Sequence, residues 1–87
     1  SSINLMNKLY IITRDGKSAN DFISDNNLDK KDIVIIKYAS DLVDVMEERY
    51  VIIPPLPFSY HWAIRPLLKL NKMINVTKFY NKKSLNF

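Results

Sequence analysis

Arg65, Lys69 and Lys72 follow one another at intervals of four and three residues, with His61 four residues before the first and Trp62 among them. On a helix that spacing collects side chains on one side. Cations on one stripe would neutralise successive phosphates, and an indole beside them would stack on an unpaired base. Lys78, Lys82 and Lys83 extend the cationic series, with Phe79 and Tyr80 as further rings that could stack. The chemistry these residue types suggest is nucleic-acid binding by Trp62, Arg65, Lys69, Lys72, Lys78, Lys82 and Lys83. The rival reading is a solvated helix face whose aromatic residues belong to a core.

The charge layout favours an anionic partner. All nine acids lie within residues 1–48, where six cations accompany them for a net of −3, and from Arg49 onward seven cations and no acid give +7. Such a split suits nucleic acid, or an acidic neighbour in an oligomer of the same chain.

Other chemistry has weaker support. Gly16-Lys17-Ser18 sits where a phosphate-binding loop would end, but Ile11 stands where that motif needs its first glycine. Pro54-Pro55 closes the third apolar run where a magnesium-holding aspartate is expected. Nucleotide hydrolysis is therefore not expected. Arg14, Lys17 and Ser18 form a candidate anion seat at a helix start, against a plain surface turn as the alternative. His61, the single histidine, has no partner spaced for metal or for a nucleophile, and no cysteine is present. No catalytic residue, metal or cofactor is expected, and the chain reads as a non-enzymatic module.

A protein partner is the main alternative. The stiff, apolar stretch "PPLPF" would present Leu56 and Phe58 to a host protein, as an inhibitor of a host enzyme would, or to a second copy of the chain. A membrane is not expected: no apolar run approaches the roughly 20 residues of a span, and Pro66 interrupts the basic stripe. The lack of cysteine fits a cytoplasmic protein. Met6 can serve as a start, which would make Ser1 to Leu5 an expression remnant or a disordered stretch.

The elements that must position these residues can be read from periodicity. With 87 residues, 47% of them hydrophobic, the chain makes one domain over 1–87. "KLYIIT" (8–13), "DIVIIKY" (32–38) and "YVII" (50–53) read as strands apolar on both faces. Ser18, with Asp21 three residues on, predicts a helix start by a capping box, and Ala19, Phe22 and Ile23 its inner face. Ser40 predicts a second helix over "SDLVDVMEER" (40–49), with Leu42, Val43 and Met46 inward. A third helix follows Tyr60, with Ala63, Ile64, Leu67 and Leu68 inward; Pro66 either starts it or kinks it. Strands alternating with helices define an α/β fold, a small parallel sheet in β-α-β-α-β-α order with helices packed on it. It has three strands, or four if Ile74 and Val76 pair as well. Ile11, Ile12, Val34, Ile35, Val51 and Ile52 are the expected sheet core. A single glycine leaves few positions where positive φ is cheap.

"IITR" (11–14) and "DIVIIKYASDLVDVMEERYVII" (32–53) resemble a type of short, phage-encoded α/β protein of Rossmann-like layout, over residues 8–53. In that type a strand ending in Thr-Arg precedes a helix, a strand, a Leu-containing segment and a valine-rich strand. The Arg-Gly pair that some members carry after the leucine is missing here. The resemblance implies a small accessory protein of a phage or mobile element, with no activity to carry over.

Overall fold

Four short strands, all parallel, form the frame of the protein in a computed structural model that describes residues 8–80. Ser1 to Leu5, Lys82 and Lys83 lie outside the described residues. β1 (Leu9–Ile12), β2 (Ile33–Ile36), β3 (Arg49–Ile52) and β4 (Ile74–Asn75) lie in the order β2-β1-β3-β4. The α/β architecture is the expected one, and the fourth strand exists as a two-residue pairing of Ile74 and Asn75 with Arg49 and Tyr50.

Alternate residues of a strand face opposite sides, and both sides are covered. Leu9, Ile11, Val51 and Ile53 pack with Ala19, Phe22 and Ile23 of α1 (Gly16–Asp25). Tyr10, Ile12 and Ile36 pack on the other side with Leu42, Tyr60, Ile64 and Leu68. The result is three layers.

Four local expectations are corrected. Helix α1 starts earlier than Ser18, because Asp15 is the N-cap and accepts from the Lys17 N–H. Asp21, assigned to a capping box, instead takes the Lys17 ammonium at 3.0 Å.

The second helix is reduced to a 3-10 turn, Ala39–Leu42. Asp41 turns back to accept from the N–H groups of Lys37 and Tyr38. The Leu42 carbonyl, which an α-helix would give to Met46, accepts from the Val45 N–H and from the buried Asn71 side chain. Asp44 and Glu47 have positive φ, and Val43 and Met46 are exposed.

In the expected sheet core, Ile11, Ile12 and Val51 are buried, Val34 and Ile52 are half-buried, and Ile35 is 36% exposed. The cause is strand order. β2 is an edge strand, with a neighbouring strand on one flank only, although its run is apolar on both faces.

Pro66 falls in the first turn of an α-helix, as the helix-start reading expects, and the helical path is not broken there. A π segment (Tyr60–Ile64) runs straight into α2 (Arg65–Leu70), and Arg65 has φ −57° and ψ −45°. Proline lacks an N–H and crowds the carbonyl four residues back. The π register, in which Ile64 and Arg65 donate to Ser59 and Tyr60, widens the turn in front of the ring.

Both α-helices end in a Schellman motif without glycine. Leu28 N–H donates to the Ile23 carbonyl and Met73 N–H to the Leu68 carbonyl, with Asn27 (φ 52°) and Lys72 (φ 55°) at the left-handed position. Lys72 therefore leaves the helical stripe to which its spacing assigned it. Because a Cβ is strained there, Lys72→Gly is expected to raise stability by up to about 1 kcal/mol, read as a higher urea midpoint.

Candidate nucleic-acid interface

Parallel α/β sheets usually bind ligands at the carboxyl ends of their strands where strand order reverses, here between β1 and β3. In this protein its own chain closes that crevice. The Arg14 N–H (2.8 Å) and the hydroxyl of buried Thr13 (3.2 Å) both donate to the Pro55 carbonyl. The Arg14 guanidinium lies 4.5 Å from the centre of the Phe58 ring. The Asp15 carboxylate accepts from the Lys17 N–H (3.0 Å) and the Ser18 hydroxyl (3.1 Å), and Lys17 is paired with Asp21. The anion seat expected of Arg14, Lys17 and Ser18 thus already holds a carboxylate of the protein.

The large concavity lies instead on the α2 side. β4 stops after Asn75, so Ile52 has no strand neighbour beyond β3 and its N–H donates to the Thr77 hydroxyl. Between this open end of β3 and the helix lies a groove of about 900 Å³. His61, Arg65 and Lys69 line one wall, Tyr50, Tyr60 and Asn75 add polar groups, and no acid lines it. The two ion pairs among the described residues, Lys17–Asp21 and Lys31–Asp29, are elsewhere. Arg65 and Lys69 therefore have no carboxylate partner among the described residues.

Burial pushes the hydroxyls of Tyr50 and Tyr60 above the usual phenol range. For Tyr50 the Asn75 side chain and the Arg65 charge pull the other way; for Tyr60 the neighbouring Tyr50 adds to the rise and Arg65 opposes it. Both are neutral donors at pH 7. Asn75 is held by its Oδ1, which accepts from the N–H (2.9 Å) and hydroxyl (2.6 Å) of Thr77.

The structure divides the predicted binding residues. Arg65 and Lys69 share the groove, with His61, which sequence reasoning had left aside. Trp62 is 76% exposed on the same π segment, and so is not a core residue. Lys72 follows α2 and does not line the groove. Lys78 lies over the Phe79 ring at 5.4 Å, on a 3-10 turn (Thr77–Phe79) two residues past Asn75. Phe79 is exposed, but Tyr80 packs on Phe22.

Of the protein-contact pair, Leu56 is half-buried against the α2-side core and Phe58 is 84% exposed. The groove residues missed in the sequence are Tyr50, Tyr60 and Asn75. Period two along β3 puts Tyr50 and Ile52 on one face, but nothing local shows that helix coverage stops short of them.

The molecule is thus a small parallel α/β domain carrying an acid-free, tyrosine-lined groove. No family model, curated protein or solved structure matches the chain. Among the described residues, no helix is long and apolar enough to cross a membrane, and no cluster of His, Cys, Asp or Glu is placed to hold a metal ion.

Proposed function

We propose that this protein is a non-enzymatic module that binds single-stranded nucleic acid, with Trp62 stacking on a base and Arg65 and Lys69 contacting phosphates. One observation carries the reading: the single tryptophan is mostly exposed three residues before Arg65, and neither Arg65 nor Lys69 has a carboxylate partner among the described residues. A solvated face with its aromatics in the core would have buried it. Lys78 and Phe79 extend the same chemistry beyond β4. Such a module suits an accessory protein of a phage or mobile element, the setting that the resemblance implies.

The test uses Trp62 itself as the probe. Titrating an oligothymidylate at low salt is expected to quench the indole emission, and log K should fall with log salt by about 0.7 per phosphate contact. Lys69→Ala should reduce that slope by one contact, whereas Lys72→Gly, outside the groove, should change it less. No quenching and no binding at low salt would sink the proposal. Because Phe58 is so exposed, salt-independent capture of a host protein, surviving nuclease and lost in Phe58→Ala, would point to a protein partner instead.

A further inference from the structure

The groove is better furnished than a surface that only follows a strand. Two cations, Arg65 and Lys69, stand one helical turn apart on its wall. The Tyr60 hydroxyl makes no hydrogen bond to another described residue, and Tyr50 stands close enough to Tyr60 and Arg65 to shift or feel their charge. Donors of both kinds, charged and neutral, line a groove that no carboxylate of the protein enters. Opposite them the lining is apolar, from Ile52, Leu68 and Met73. A volume of about 900 Å³ is at the upper end of small-molecule sites, which typically span about 300–1,000 Å³.

We propose that this groove is a pocket for a phosphate monoester carried on a nucleoside, which in a strand is a phosphorylated terminal nucleotide. The inference deepens the single-strand reading and rests on it for the strand. Charge decides between an end and an internal phosphate. An internal diester carries one negative charge, while a monoester carries about −1.5 to −2 at neutral pH. Two cations with no carboxylate partner among the described residues match the second. A neutral phenol then donates to a terminal oxygen that a diester would lack. Burying the charged end against Arg65 and Lys69 leaves the planar ring to cover Ile52, Leu68 and Met73, where a polar chain would be desolvated without partners.

Three octathymidylates test this, one with a 5′-phosphate, one with a 3′-phosphate and one with hydroxyls at both ends, beside free thymidine monophosphate and inorganic phosphate. One phosphorylated end should bind about tenfold more tightly than the hydroxyl-ended strand, as one added charge-assisted hydrogen bond would give. Tyr60→Phe keeps the buried ring and should shrink that ratio several-fold while the melting temperature stays put. Arg65→Gln, at an exposed position, should abolish the ratio. Trp62→Ala should weaken all three strands and leave the ratio intact, which separates the pocket from the stacking platform. Equal affinity of the three strands would overturn the pocket. So would inorganic phosphate binding as tightly as the nucleotide, since the ring would then contribute nothing. If no strand binds, the single-strand reading falls, and thymidine monophosphate alone decides: binding that Tyr60→Phe weakens supports the pocket, and no binding refutes it.

Discussion

Replacing Phe22 by alanine is expected to destabilise the protein by about 3–5 kcal/mol, the usual cost of deleting a buried phenyl ring and leaving a cavity. Phe22 is fully buried on the α1 side of the sheet among Leu9, Ile11, Val51 and Ile53, and its ring centre is 5.3 Å from that of Tyr80. It therefore holds α1 to the sheet and the segment after β4 to α1. Small domains are stable by about 5–15 kcal/mol in total, so the change removes a large share and should lower the urea midpoint markedly. Ile35→Ala is the comparison. With Ile35 on an edge strand and 36% exposed, its cost should be about 1 kcal/mol. Equal costs at the two sites would contradict the strand order.

Removing the Trp62 indole should separate binding from stability. Base–aromatic stacking contributes about 1–3 kcal/mol per base, so Trp62→Ala should weaken binding to a single strand by about 5- to 150-fold. The side chain is 76% exposed and outside both core clusters, so the melting temperature should hardly move. Nor should the salt slope, because an indole releases no counterions. Since the variant has no tryptophan, its affinity is read by the anisotropy of a labelled oligonucleotide. A lower melting temperature with unchanged affinity would mean that Trp62 supports the π segment and does not stack on bases.

The arrangement around Pro66 shows how a local irregularity shapes the groove. Without the π register, the proline would cost a hydrogen bond and a clash in mid-helix. With it, the helix continues, and His61, Arg65 and Lys69 stay on one wall. Lys72 is lost from that wall because the Schellman motif turns the chain away into β4.

Local sequence alone determined the strands, the presence of α1 and the division of charge. Apolar β-branched runs such as "YIIT" and "IVII" have no amphipathic helical reading, and Ala19, Phe22 and Ile23 have no strand reading. The tertiary structure decided the rest. In place of the expected helix over "SDLVDVMEER", the Leu42 carbonyl accepts from the side chain of Asn71, 29 residues away, a contact that no local pattern records. Whether the crevice at the carboxyl ends stays open depended on Pro55, 42 residues from Thr13. Ile35 is exposed because β3 pairs with β1 and leaves β2 at the edge, a choice no local pattern records. The groove required Tyr50, Tyr60, Arg65, Lys69 and Asn75 to meet where β4 ends early. Periodicity reports which side of an element is apolar. Which sides are covered, and which carbonyls and cations are left without partners, is set by contacts between residues far apart in the chain.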